Sequence, residues 1–322
     1  MVASKICAAG YYVPEHTVSN DQLSEYVETS DEWIYSRTGI RYRRMSGGEN
    51  TSQLAAKAAK RILEAAGADP LSVELIIVAT ISGDYATPST ACLVQAEIGA
   101  KNAVAFDLGA ACSGFVFALS VADKYIQSGL FQNALVIGAE VMTKTLDFQD
   151  RSTCVLFGDG AGGVFLRRGN TGGVLAEDLG SDGMSAQSLL VRHFPVNNLC
   201  TQQSCKQPFL CMDGKAIFQF AVRETPKSIS RLMDKTTLTY DEIRWIIPHQ
   251  ANSRIIDGIA RKLHLPADKF YCNMYDYGNT SSASIPIALG QLWEQGALTE
   301  GVRVIIAGFG AGLTWGSLLL EF

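Results

Sequence analysis

The sequence predicts a layered α/β fold, on three observations. Apolar runs of strand length, such as Leu75-Ile76-Ile77-Val78-Ala79 and Ala134-Leu135-Val136-Ile137-Gly138, lack polar alternation and so fit strands buried on both faces. Stretches with apolar residues at helical spacing lie between such runs. The second half of the chain then repeats the element order of the first, without obvious residue identity between the halves. Alternating strands and helices imply a mostly parallel central sheet. At 322 residues the chain accommodates two domain-sized units, with the division placed at 1–170 and 171–322.

In chain order, Asn20-Asp21-Gln22-Leu23 opens a short helix reaching about Val27. Thr29-Ser30-Asp31 caps a second helix bearing Trp33 and Arg37, before Thr38-Gly39-Ile40 turns the chain. Thr51 caps an amphipathic helix with Leu54, Ala58, Ile62 and Ala65 on one face, ended by Gly67. Thr87-Pro88 starts another, with proline at its first position. A strand over 103–107 enters a turn of small residues around Cys112. The helix that follows carries Phe115, Ala118, Leu119, Ala122 and Ile126 and closes at Ser128-Gly129.

Gly158-Asp159-Gly160-Ala161 reads as a turn between strands at 154–157 and 162–166. The segment 185–207 has no clear period and reads as a long loop, a length that marks a functional cover or disorder. A helix over about 215–234 is expected to be interrupted near Thr225-Pro226. Trp245-Ile246-Ile247 is a strand, Asn252 caps a helix with Ile255, Ile256, Ile259 and Leu263, and a long helix covers about 284–295. Residues 302–307 form the last buried strand, and Gly308-Phe309-Gly310-Ala311-Gly312 turns into a final strand.

Apolar residues make up 47% and charged residues 18%, a balance that favours a large core and self-association. A net charge of −5 argues against nucleic acid as a general partner. No apolar run is long enough to span a membrane, and the first residues lack the apolar stretch of a signal peptide. The eight cysteines are scattered without a Cys-x-x-Cys pair, which fits a reducing cytoplasm. Cys200, Cys205 and Cys211 are loosely grouped, but no His or carboxylate keeps ligand spacing with them, so no metal site is expected.

Three polar stations stand out. Cys112 sits where a strand meets a helix N-terminus, where free N–H groups and the helix dipole favour a thiolate. His249 follows the strand at Trp245, and Asn279 lies in Tyr277-Gly278-Asn279-Thr280-Ser281-Ser282-Ala283-Ser284 before a helix. Taken singly, Cys112 reads as a small buried residue, His249 as a core or turn histidine, and Asn279 as turn geometry. His16, His193 and His264 lack comparable settings and read as surface or structural. In a parallel α/β sheet, however, ligands gather beyond the strands' carboxyl ends, and Cys, His and Asn together make a nucleophile with hydrogen-bonding partners.

The chain resembles the β-ketoacyl-acyl carrier protein synthase III family, thiolase-fold enzymes that initiate dissociated fatty acid synthesis. The resemblance runs nearly end to end. It rests on Thr29-Ser30-Asp31-Glu32-Trp33-Ile34, Arg37-Thr38-Gly39-Ile40, Ala110-Ala111-Cys112-Ser113-Gly114-Phe115, Phe157-Gly158-Asp159-Gly160-Ala161-Gly162, His249-Gln250-Ala251-Asn252, Tyr277-Gly278-Asn279-Thr280-Ser281 and Gly308-Phe309-Gly310-Ala311-Gly312, in that order. It implies a duplicated five-layer α/β/α/β/α architecture and a homodimer.

By the same resemblance, Cys112 takes the acyl group of a short acyl-CoA, with the amides of Cys112 and Ala311 as oxyanion hole. His249 and Asn279 then stabilise the enolate formed when malonyl-acyl carrier protein loses CO2. No metal or redox cofactor is required. Elongating relatives use two histidines and thiolases a second cysteine; neither stands at the matched positions here. Trp33 and Arg151 match the positions that sandwich the adenine of CoA, and Arg37 one near its phosphates. Arg254, Arg261 and Lys262 share a helix face that suits the acidic carrier protein. Thr87 matches a position that enters the partner subunit's acyl pocket, where a small residue leaves room for longer or branched primers. Relatives that pass the acyl group to a different acceptor in secondary metabolism would keep the same cysteine.

Overall fold

A computed structural model describes residues 2–191, 195–202 and 209–322. The first sheet contains β1 (Ala3–Tyr12), β2 (Leu75–Ala79), β3 (Val104–Leu108), β4 (Asn133–Val141) and β5 (Asp159–Gly169), in the order β1-β5-β4-β2-β3. The second contains β6 (Gly173–Ser181), β7 (Trp245–Pro248), β8 (Arg303–Gly310) and β9 (Thr314–Glu321), in the order β7-β8-β9-β6. β2 runs parallel to β3 and β4, and β7 parallel to β8; the remaining pairings are antiparallel. The sheets are thus mixed rather than mostly parallel. The reason is connectivity: β4 passes to β5, and β8 to β9, without a crossover α-helix, which forces reversal.

Among the described residues, the seven longer helices are α1 (Asp31–Thr38), α2 (Thr51–Ala65), α3 (Thr90–Ile98), α4 (Gly114–Gln127), α5 (Gly214–Asp234), α6 (Ser253–Leu263) and α7 (Ser284–Glu294). α2 and α3 cover the outer face of the first sheet. α5, with α6 beside it, covers that of the second, and α4 and α7 lie between the sheets. This is the five-layer α/β/α/β/α arrangement. α4 touches both sheets and is accordingly apolar on most sides, with Phe115, Val116, Leu119 and Ile126 fully buried. Each such large side chain contributes about 1.5–3 kcal/mol relative to exposure. The element order repeats in the second half, where an isolated parallel bridge between Ile246 and Phe270 stands beside β7 as β3 stands beside β2.

Local departures from the sequence reading have local causes. α2 is capped by Asn50 in a box with Gln53, and the Thr51 hydroxyl instead donates to the Ser82 carbonyl. Thr87-Pro88 precedes α3 rather than starting it. Ser89 is its N-cap, and the Asp107 carboxylate accepts from the amides of Thr90 and Ala91 at 2.6 and 2.7 Å. Gly158-Asp159-Gly160-Ala161 leads into and begins β5 instead of turning, while 154–157 is itself turn, making one bridge from Phe157 to Asn279. α5 continues through Pro226, held by packing against the second sheet and α6. β8 runs on to Gly310. Within 185–207 the chain has structure: a 3₁₀ turn over Gly183–Ser188, a strand Leu189–Leu190 paired with Cys211–Met212, and a small hairpin of Asn197–Asn198 with Thr201–Gln202. His193 and Cys205 lie outside the described residues.

Candidate active site

Cys112 sits in a 3₁₀ turn, Ala111–Ser113, that joins β3 to α4. Ala111 adopts the left-handed region at φ 45°, which turns the backbone sharply enough to leave Cys112 at the helix entrance. Gly310 closes on it from the end of β8. A Cβ there would lie 2.9 Å from the Cys112 amide nitrogen, so only glycine allows this approach. The thiol is buried and donates to the Ser281 hydroxyl at 3.5 Å.

Burial pushes the thiol up to about 12; the Glu140 carboxylate adds to the rise, while the Ser281 hydroxyl and the residue's own amide oppose it. The thiolate expected at the helix N-terminus is therefore not the resting form. A helix terminus contributes up to about 2 kcal/mol, whereas a rise from 9.0 to about 12 corresponds to about 4 kcal/mol.

His249 follows β7 directly, and its amide donates to the Ala307 carbonyl of β8 at 2.8 Å. Its ring packs edge-on against Phe309, centroids 5.1 Å apart, and Nδ1 lies 2.7 Å from Ser284 Oγ. Burial lowers its pKa to about 3, so the imidazole is neutral. Asn279 is pinned on both sides, its amide donating to Leu156 O at 2.8 Å and its carbonyl accepting from Gly158 N at 3.0 Å. The Ser281 amide donates to the Asn279 side chain at 2.9 Å. Because that partner is a donor, the Asn279 atom facing it is Oδ1, which leaves Nδ2 for the pocket.

Cys112, His249 and Asn279 line one cavity of about 190 Å³, together with Phe157, Ile217 and Phe309. A second cavity of about 160 Å³ adjoins Cys112 and carries Ala311 on its wall, with Ile81, Met142, Leu189 and Leu210. The three stations, far apart in sequence, thus meet, and Ala311 stands beside the nucleophile.

The peripheral residues fall into two groups. Arg37 and Arg151 both lie over the Trp33 ring, 4.5 and 4.8 Å from its centroid, and Arg151 donates to the Glu28 carbonyl at 2.9 Å. Ser152, next to Arg151, lines the 190 Å³ cavity, so this cluster borders the entrance. Arg254, Arg261 and Lys262 are exposed on α6, but Arg254 donates to the Ser36 carbonyl at 2.8 Å and ties α6 to α1. Thr87 is exposed and lines neither cavity beside Cys112. It borders a separate open groove with Asp107 and Lys144.

The sequence reading gave no role to Glu140, Ser281 or Ser284. The two serines stand inside the Asn279 motif, where hydroxyls read as turn chemistry. Glu140 carried a signal of its own, since a carboxylate closing an otherwise apolar buried strand needs partners.

Fold and site together define a thiolase-like condensing enzyme. Residues 106–183 match the family described as 3-oxoacyl-[acyl-carrier-protein (ACP)] synthase III, and residues 233–322 match its C-terminal part. The chain is 51% identical over its whole length to the full beta-ketoacyl-[acyl-carrier-protein] synthase III of Lactococcus lactis subsp. cremoris. It is 48% identical, again over its whole length, to 99% of the Clostridium acetobutylicum enzyme of that name. A crystal structure of 3-oxoacyl-[acyl-carrier-protein] synthase III from Aquifex aeolicus superposes with a TM-score of 0.92 at 42% identity, covering 99% of this chain and 100% of that one. The chain belongs to the beta-ketoacyl-[acyl-carrier-protein] synthase III family.

Proposed function

We propose that this protein starts type II fatty acid synthesis by a decarboxylative Claisen condensation of a short acyl-CoA with malonyl-acyl carrier protein. The observation that carries the reading is the meeting of Cys112, His249 and Asn279 in one cavity. Cys112 attacks the acyl thioester and releases CoA. The Cys112 and Ala311 amides hold the oxyanion, each donor lowering the barrier by about 2.7–4 kcal/mol.

Malonyl-acyl carrier protein then binds and loses CO2. Its enolate oxygen needs donors, which a neutral His249 Nε2–H and the Asn279 Nδ2 supply. That tautomer requires the Ser284 hydroxyl, 2.7 Å from His249 Nδ1, to donate to the ring; the Gln250 amide, 3.4 Å away, takes one of the two lone pairs of Oγ and so favours this direction. The carbanion attacks acyl-Cys112 and yields 3-oxoacyl-acyl carrier protein.

Trp33, Arg37 and Arg151 take the nucleotide of CoA, and Arg254, Arg261 and Lys262 face the acidic carrier protein. The acyl group enters the 160 Å³ apolar cavity. A cavity of about 150 Å³ holds benzene, so the space suits primers longer or more branched than acetyl. Residues 1–170 form the half carrying Cys112 and residues 171–322 the half carrying His249 and Asn279. A homodimer, in which Thr87 reaches the partner's acyl pocket, and a cytoplasmic location complete the reading. Among the described residues, no helix is long and apolar enough to cross a membrane.

Intact-mass measurement after mixing with acetyl-, isobutyryl- and octanoyl-CoA tests the acylation. One acyl adduct on wild type and none on Cys112→Ala supports the reading; an adduct that survives Cys112→Ala overturns it.

A further inference from the structure

The carboxylate of Glu140 is buried completely at the end of β4, behind the nucleophile. Its Oε2 accepts from Thr80 Oγ1, from the amides of Ile81 and Ser82, and from the Ser82 hydroxyl. Its Oε1 accepts from Ser281 Oγ at 3.1 Å and Ser282 Oγ at 2.9 Å. Two of these donors are backbone amides, which cannot accept, so Oε2 stays an acceptor and a proton taken up by the carboxyl sits on Oε1, facing Ser281; the converging donors favour the ionised resting form against the burial that raises its proton affinity. Ser281 joins it to the site: the same Oγ that donates to Glu140 accepts the Cys112 thiol. Ser281 also borders the cavity beside Cys112 and adopts the left-handed region at φ 51°. A continuous line of hydrogen bonds therefore runs from Sγ through Oγ to Oε1.

We propose that Glu140, acting through the Ser281 hydroxyl, takes up the Cys112 thiol proton during acylation and stores it for the lifetime of the acyl-enzyme. The inference rests on the condensing reaction set out above. Glu140 touches neither substrate nor sulfur; it is a positioning residue, and what it positions is a proton. During acylation the Sγ–acyl carbon bond forms and the acyl carbon–sulfur bond to CoA breaks. The thiol hydrogen passes to Ser281 Oγ, which passes its own hydrogen to Glu140 Oε1. CoA departs as thiolate and is protonated by solvent.

During condensation the new carbon–carbon bond forms and the bond from carbonyl carbon to Sγ breaks. Cys112 leaves as thiolate and recovers its proton from Glu140 by the reverse path. Counted over both halves, one solvent proton is consumed and one CO2 released. Two further facts favour such a store. Burial raises the proton affinity of Glu140, so a neutral carboxyl is attainable there. His249, with its pKa near 3, is a poor acceptor for a thiol proton. The nearby cation that senses Glu140 is Lys144, whose ammonium is bound to Asn50 Oδ1, Thr51 Oγ1 and Gly83 O rather than to the carboxylate.

The test follows acylation of the full-length enzyme by acetyl- or isobutyryl-CoA, without carrier protein, by two readouts. A pH indicator in weak buffer at pH 7 should report uptake of one proton per acyl group bound. Difference infrared spectroscopy should show a new carboxylic-acid carbonyl band, absent in Glu140→Gln and in Ser281→Ala. Acylation by Glu140→Gln should also slow by about 10²–10⁴-fold, the usual span for a lost proton acceptor. If wild type acylates with no proton uptake and no such band, the inference is wrong, and that result needs no variant to fold. If wild type fails to acylate at all, the condensing reading itself fails.

Discussion

Ser284 Oγ lies 2.7 Å from His249 Nδ1 while receiving the Gln250 amide. With one of its two lone pairs engaged, the hydroxyl keeps its hydrogen for the ring in the proposed mechanism, and the ring proton then sits on Nε2, the side that mechanism needs for an enolate. Ser284→Ala should reduce decarboxylation of malonyl-acyl carrier protein about 10-fold or more, because the ring is free to adopt the other tautomer. Ser284→Thr should restore most of it. Nitrogen-15 chemical shifts of His249 check the tautomer directly; an unchanged Nε2–H population in Ser284→Ala contradicts the assignment.

The same histidine sets a pH dependence. Its folded-state pKa of about 3 lies below the ordinary 6.5, so the unfolded chain binds the extra proton first. The stability this neutral ring contributes is complete above pH 6.5 and is lost as the pH falls toward 3. At pH 4.5 the loss relative to neutral pH should be about 2.7 kcal/mol. Urea unfolding of wild type and His249→Asn from pH 7 to 4.5 isolates the effect as their difference. Decarboxylation, in turn, should show no step near pH 6.5.

Cys112 should resist alkylation in the substrate-free enzyme. With the thiol at about 12 instead of 9.0, the thiolate fraction at pH 8 falls about 1,000-fold. Iodoacetamide followed by peptide mass mapping should label the exposed Cys200 well before Cys112, and the Cys112 rate should keep rising with pH through 9. Rapid labelling of Cys112 that levels off near pH 7 contradicts this.

Trp33 has Arg37 and Arg151 over its ring. At 4.8 Å from the centroid, Arg151 leaves no room for an aromatic base between the two planes, so the proposed nucleotide stacking requires it to move. Stacking on an aromatic side chain contributes about 1–3 kcal/mol per base. Trp33→Ala should therefore raise KM for acyl-CoA by about 5- to 150-fold, with little change in decarboxylation of malonyl-acyl carrier protein. CoA should change tryptophan fluorescence in wild type and not in Trp33→Phe.

The sequence was most informative where one side chain or one period decides the outcome. Buried runs such as Leu75-Ile76-Ile77-Val78-Ala79 place strands without ambiguity, whereas Cys112, His249 and Asn279 each read as structural alone and stand out only together, at element ends. What escaped it depends on partners distant in sequence. Asp107 caps α3 from another strand, which overrides the proline signal at Thr87-Pro88. Pro226 sits within a helix because packing, rather than local propensity, holds α5. The protonation of Cys112 turned on burial by the second half of the fold, which outweighs the local helix terminus. Glu140 and Ser281 are 141 positions apart, and only the folded chain shows that they touch.

In the proposed reaction, acyl-Cys112 is the electrophile of a carbon–carbon bond formation. Isolated acyl-enzyme, mixed with malonyl-acyl carrier protein labelled in its free carboxyl, should lose its adduct within one turnover. It should release one labelled CO2 and give one 3-oxoacyl-acyl carrier protein per acyl group. CO2 release that leaves the acyl adduct on Cys112, or transfer of the acyl group to another acceptor without CO2, would rule out that role for acyl-Cys112.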